Sequence, residues 1–317
     1  MEDQDQSKRI NQPTDQPVNY HSAVLLKESV DGLNIKPDGI YVDCTFGGAG
    51  HSKAILQCLN ENGRLIAFDQ DDDARKNLPD DKRVLFIPQN FRHIQRFLRL
   101  HKINQVDGIL ADLGVSSHQF DDADRGFSIR FDAAFDMRMD QRQTLTAADV
   151  IKSFSEAQLH KMFEQYGEVT NSKTLAKTIV QQRSVAAIKT IKGFKQAIQA
   201  VVKGNPQKYL AQVFQAFRIE VNDELGALKE LLQQSITLLK PSGRIAIITF
   251  HSLEDRIVKN FFRTGSFSEM EVDEIFGTKT ASPFLLVNKK PIVASQTESK
   301  INNRSRSAKL RIAEKIK

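Results

Sequence analysis

The chain has few cysteines and no long apolar run. Its two cysteines, Cys44 and Cys58, are too few for a disulfide framework and read as reduced thiols, which fits a cytoplasmic protein. No apolar stretch approaches the roughly 20 residues that a membrane span requires, so no membrane partner is expected. The opening Met1-Glu-Asp-Gln-Asp-Gln-Ser has neither a basic start nor an apolar centre and does not read as a signal peptide. Residues 1–17 are instead expected to form a disordered tail. No internal repeat is apparent. What remains is ordinary for a globular protein: 317 residues, 40% hydrophobic and 26% charged, enough for one large domain or two moderate ones. The net charge of +6 is uneven, with acids near the start and basic residues near the end, and it suits a nucleic-acid partner without demanding one.

Against these absences stands one glycine-dense passage, Ile40-Tyr-Val-Asp-Cys-Thr-Phe-Gly47-Gly-Ala-Gly50-His51. A short apolar strand carrying Asp43 runs into the turn, and Ser52-Lys-Ala-Ile-Leu begins a helix. A second strand, Arg64–Asp69, ends in a carboxylate about twenty residues past the turn, the spacing that grips a ribose. Glycines let backbone approach a ligand closely, and a helix start offers free N–H groups. A dinucleotide fingerprint would read G-x-G-x-x-G, and its third glycine is missing here. The pattern is closer to the acid-x-x-x-G-x-x-G turn of S-adenosylmethionine enzymes, where no phosphate needs cradling. A glycine-rich turn without a ligand is the bland alternative, which Asp69 weakens.

Apolar runs at 83–88 and 105–112 read as third and fourth strands, each separated by helix-like sequence, the rhythm of a parallel sheet. From 121 to 221 the pattern is helical. Thr146-Ala-Ala-Asp149 and Ser155-Glu-Ala-Gln158 read as capping boxes, and apolar stripes such as Leu159, Met162, Phe163 and Tyr166 read as core. A long amphipathic helix from Asn222, a turn at Lys240-Pro-Ser-Gly243 and a strand at 244–250 then resume the βαβ series. The expected architecture is therefore α/β: a nucleoside-binding sheet over 18–120 and 222–317, split by an inserted all-helical domain at 121–221.

Ligands of such sheets bind beyond the strand carboxyl ends, which places Asp112, at the end of the fourth strand, beside the reactive end of a cofactor. Its carboxylate can accept a hydrogen bond from an amine awaiting alkylation; a loop cap is the competing reading. Ser116 and Ser117 read equally as turn formers or site residues. Phe91 reads either as an aromatic against an adenine or as core. Asp69-Gln-Asp71-Asp-Asp73 mimics a calcium loop but has Ala74 where glycine is needed. His251 and Glu254 are spaced as metal ligands with no second cluster to support them, so no metal is expected. Arg125–Arg130 and Phe135–Asp140 could border a base pocket or form a solvated linker. Arg306, Lys309 and Arg311 read as phosphate contacts, a solvated tail, or an edge strand with one basic face.

Longer passages carry a resemblance. HSAVLLKE (21–28), the 43–51 turn, DLGVSS (112–117), RGFS (125–128), DMRMD (136–140), FQAFRIEVNDELGAL (214–228), FHSLEDRIVKNFF (250–262) and RSAKLRIAEK (306–315) together resemble the bacterial ribosomal RNA small subunit methyltransferase H family. The resemblance implies that the sheet is that of a Rossmann-like class I methyltransferase, with S-adenosylmethionine as cofactor, held by Ala49, Gly50, His51, Asp69, Phe91, Asp112 and Gln119. It implies methylation of N4 of a decoding-centre cytosine in 16S rRNA of the small ribosomal subunit, with neither membrane nor DNA as partner. Asp112 is then the candidate catalytic residue, holding the amine toward the sulfonium after the base is unstacked, and Asp136, Arg138 and His251 are candidates for holding the base. The chain departs from the family pattern at Ala23, where proline is usual, at Ala133-Ala-Phe, at Val169, and at Asn205-Pro206-Gln-Lys. Three other readings stay open: a nicotinamide-dependent dehydrogenase, a non-catalytic ribosome assembly factor, and a methyltransferase acting on another RNA or a protein. The sequence leaves oligomeric state open, a homodimer included.

Overall fold

The computed structural model describes residues 23–267 and 282–316. The expected tail at 1–17 and the first two residues of the HSAVLLKE passage lie outside the described residues. Five strands, β1 (Ile40–Asp43), β2 (Arg64–Phe68), β3 (Val84–Ile87), β4 (Val106–Asp112) and β5 (Leu239–Thr249), are parallel, in the order β3-β2-β1-β4-β5. Beyond β5 the sheet continues antiparallel through β8 (Lys309–Lys315), which pairs on its far side with β6 (Phe284–Leu286) and β7 (Ile292–Val293).

The near-continuous apolar runs of the central strands follow from burial on both faces. Val42, Ile109, Ile245 and Ile247 face one core, and Tyr41, Leu110, Ala246 and Ile248 the other, as the two-residue strand period requires. The first core is covered by α3 (Ile94–Leu100), α10 (Glu224–Leu238) and α11 (Ser252–Thr264), the second by α1 (Leu26–Leu33) and α2 (Gly50–Cys58).

Between β4 and α10 the chain forms α4 (Ser117–Asp121), α5 (Ala147–Ser153), α6 (Glu156–Gly167), α7 (Ser172–Val185), α8 (Ile191–Ile198) and α9 (Pro206–Asn222). These helices surround a separate core in which the rings of Phe135, Phe194 and Phe217 meet at centroid distances of 5.0–5.3 Å. Both expected capping boxes are present: Thr146 and Asp149 start α5, and Ser155 and Gln158 start α6. A short α12 (Gln296–Ile301) precedes β8.

Three expectations change. The Lys240–Gly243 turn is not a boundary before a strand but a bulge inside β5: Val106 pairs with Leu239 and Gly108 with Arg244, while Ser242 takes a φ of 63°. The connection from β2 to β3 is a 3₁₀ turn at Asp72–Asn77 rather than an α-helix, because the Asp69 and Asp71 carboxylates accept from the backbone two residues on. Finally, β8 is interior, and Lys309 and Arg311 are drawn to Asp255 of α11 at 3.5 and 2.7 Å, so the predicted basic edge is spent on an ion-pair cluster.

Candidate active site

The carboxyl ends of β1, β2 and β4 open onto a cavity of about 1150 Å³ that continues beneath α9. Its floor is the glycine turn. Asp43, fully buried, does not reach outward: it accepts from Thr45 N at 3.0 Å and from Ser52 Oγ at 2.7 Å, locking the turn to the start of α2. Ala49 sits at the helix N-cap in the left-handed region (φ 65°) with no side-chain cap, so the first-turn N–H groups of α2 have no capping acceptor. A Cβ on Gly50 would lie 2.7 Å from that of Ala23, so the glycine is set by close packing. His51 is buried with Nε2 3.0 Å from the Val24 carbonyl.

Asp69 accepts from Gly47 N at 2.7 Å and from Asp71 N at 2.9 Å, which fixes the height of the turn. Burial pushes its carboxyl up to about 6 against the pull of those two N–H donors. Each oxygen retains a lone pair for a further donor. Gln119 is held in two directions: Oε1 accepts from Ser116 N, and Nε2 donates to Asp71 Oδ2 at 2.7 Å. The buried Arg125 donates to the same Asp71 oxygen at 2.8 Å, so this motif arginine is a tie between loops rather than a free pocket wall. Phe91 both lines the cavity and packs against the sheet core, so its two readings coexist. Ser116 caps α4.

Asp112 closes β4. Its N–H donates to Thr45 Oγ1 at 2.7 Å, pinning the strand tip to the glycine turn. Its Oδ1 is buried without a hydrogen-bond partner among the described residues, and Oδ2 lies 3.8 Å from His51 Nδ1. Burial raises this carboxyl to about 6; His51 opposes the rise, and Asp43 and Glu254 add to it. The side chain is 23% exposed and lines the cavity, so Oδ1 is the sealed oxygen of the pair and an incoming donor would meet the carboxylate at Oδ2.

Three base-holding candidates are placed differently from expectation. Asp136 and Arg138 pair with each other at 2.7 Å, and Arg138 also donates to the carbonyls of Gln141 and Gln143; the cavity is lined instead by Met137 and Met139. His251 caps α11 and sits behind Glu254, which is the residue that reaches the cavity. Glu254 accepts from Phe250 N at 2.8 Å, and Nε2 of His251 is 3.2 Å from its other oxygen. Burial acts to raise Glu254, but the neighbouring His251 ring and Arg218 leave it below its ordinary value.

Sequence reasoning missed a buried cluster beneath α9. Arg218 donates to both oxygens of Glu224, at 2.8 and 3.0 Å. Burial drives the Glu224 carboxyl up despite that partner. Glu224 also brings a third ligand-type atom within 4.8 Å of those of His251 and Glu254, so the expectation that nothing supports that pair is corrected. The cation in contact with Glu224 is the guanidinium of Arg218. A signal was available: Arg218 lies on the same helical stripe as Phe214 and Val221, where a charge calls for a buried partner.

A parallel sheet continued by a reversed strand, with a glycine turn and acids on two strand tips at its carboxyl edge, defines a class I S-adenosylmethionine-dependent methyltransferase. The family model described as the MraW methylase family matches residues 18–316, and the chain belongs to that family. A ribosomal RNA small subunit methyltransferase H of Bacteroides thetaiotaomicron is 55% identical over 93% of this chain and 97% of that protein. Its counterpart in Flavobacterium johnsoniae is 54% identical over 94% and 98%. A solved rRNA methylase from Streptococcus thermophilus aligns with a TM-score of 0.39 at 11% identity over 92% of this chain and 95% of that one. That likeness is too slight to carry weight, and the fold rests on the strand order.

Proposed function

We propose that the protein methylates N4 of a decoding-centre cytosine in small-subunit rRNA, with Asp112 holding the target amine. The single observation behind this reading is the Asp112 carboxylate on the cavity wall, with no hydrogen bond to either oxygen among the described residues and with the backbone of the same residue tied to the glycine turn. A cytosine amine is a donor whose lone pair is delocalised into the ring. Asp112 would accept one N–H, orient the nitrogen, and take up the proton released as the N–C bond forms. When bound, the cofactor would supply a methyl group carried on a sulfonium, for which a neutral thioether is the leaving group.

The residues present fit that cofactor. Asp69 would accept from the ribose hydroxyls, Phe91 would lie against the base, and the first-turn N–H groups after Ala49, with Gly50 and His51, would face the amino-acid end. Gln119 would border the same end from above. The helices at 121–221 would form the substrate-recognising domain over the cavity, with the rRNA base unstacked to enter. Among the described residues no helix is long and apolar enough to cross a membrane.

The test is transfer of labelled methyl to small-subunit particles by wild type and Asp112→Ala. At saturating S-adenosylmethionine, so that any weakening of cofactor binding is overcome, transfer by the variant is expected to fall by roughly 100-fold or more. Full turnover in the variant, or label mapping to a different nucleotide, would reject the assignment.

A further inference from the structure

We propose that Arg218 determines base specificity, donating from Nη1 to ring N3 of the cytosine whose amine is accepted by Asp112. The inference rests on the cytosine reading above and adds the residue that reads the base.

Arg218 lies on α9 one turn before the corner with α10. Its Nε and Nη2 are anchored on Glu224, whereas Nη1 makes no hydrogen bond among the described residues and the side chain lines the cavity. A guanidinium carries five donors in a fixed fork, and two-point anchoring on a carboxylate sets the direction of the remaining ones. A donor held this way in a mostly buried position is suited to an acceptor on a ligand.

The acceptor and the donor belong to one pocket. Glu254 lines the same cavity, a carboxylate oxygen of it lies within 4.8 Å of one of Glu224, the anchor of Arg218, and its charge acts on both Asp112 and Arg218. On the Watson–Crick edge of cytosine the amine is adjacent to the N3 lone pair. A carboxylate facing the amine and a guanidinium facing N3 match both groups. Uracil inverts both, presenting O4 to the carboxylate and N3–H to the guanidinium, so it is repelled twice. Adenine offers the same amine–acceptor pair as cytosine, and its exclusion falls to the pocket walls, where Phe250 packs within 3.5 Å of the Cβ position of Gly114.

The test uses the full chain and reconstituted small-subunit particles carrying cytidine or 3-deazacytidine, in which a C–H replaces N3, at the target position. Because Arg218→Met alone strands a buried carboxylate, it is combined with Glu224→Gln. Wild type is expected to lose roughly 10- to 100-fold in kcat/KM on 3-deazacytidine. The double variant is expected to lose a similar factor on cytidine, to show no further loss on 3-deazacytidine, and to bind S-adenosylmethionine as wild type does. Should the double variant fail to fold, Arg218→Lys serves, since its ammonium cannot hold Glu224 and N3 together, and the same insensitivity is expected. An undiminished N3 effect in either variant overturns the proposal. Wild type failing to methylate cytidine particles at all would instead defeat the cytosine reading.

Discussion

Asp112 combines two states that rarely share a residue, a carboxylate largely but not wholly kept from water and an oxygen kept from partners. In the cofactor-free protein this is a liability with a definite pH signature. Burial raises its folded pKa from 3.8 to about 6. Below about pH 4 the carboxyl is protonated in both folded and unfolded chains, and burial carries no charge penalty. Between about pH 4 and 6 the unfolded chain ionises first, so stability falls as pH rises; above about 6 the deficit is constant. Two units correspond to about 3 kcal/mol. Asp112→Asn is therefore expected to melt above wild type near pH 7.5 and together with it near pH 4, measured without cofactor. Equal gaps at both pH values would show that the difference lies in packing and not in charge. Asp69 also titrates near 6, but it is common to both proteins and cancels in the comparison.

At the scale of elements, the corner between α9 and α10 organises the site. Asp223 adopts φ 46°, which ends α9 and lets α10 leave in a new direction, placing Glu224 against Arg218. Asn222 locks this corner to the loop after α4: it donates to the carbonyls of Met137 and Arg218 and accepts from Met139 N at 2.7 Å. Asn222→Ala strands the Met139 N–H and the Met137 carbonyl, and is expected to cost about 2–4 kcal/mol by denaturant unfolding, with the slope unchanged. A loss below about 0.5 kcal/mol would mean that the loop holds its place without the corner. Only part of this site is written in local sequence patterns. Strands β1, β2 and β4 were legible because apolar runs and a glycine turn are local patterns, and the tip residues Asp69 and Asp112 followed from strand ends. The Arg218–Glu224–Glu254 cluster was not, since it joins α9, α10 and α11 through a corner whose angle no local pattern encodes. Asp136 and Arg138 misled for the converse reason: side chains two apart in a loop satisfied each other, and the intervening Met137 faced the cavity.

At the scale of the molecule, two cores meet across one cavity, and the polar ties between them cluster at its mouth. Gln119 and Arg125 converge on Asp71 after β2, and Arg142 donates to the carbonyls of Pro88 and Gln70. These contacts sit beside Asp69, where a ribose would bind, so a ligand of the glycine turn braces both halves of the chain at once. A ligand that binds only the folded state stabilises it by about 2.7 kcal/mol at 100 times its Kd. S-adenosylmethionine is accordingly expected to raise Tm by several degrees in a concentration-dependent way. NAD at the same concentration is expected to leave Tm unchanged, because Lys53 occupies the place of the third glycine of the dinucleotide fingerprint. Differential scanning calorimetry with each nucleotide separates the two cofactor classes before any RNA is added. A shift with NAD that matches the shift with S-adenosylmethionine would place a dinucleotide across the sheet edge, and Asp112 would then have no sulfonium to face.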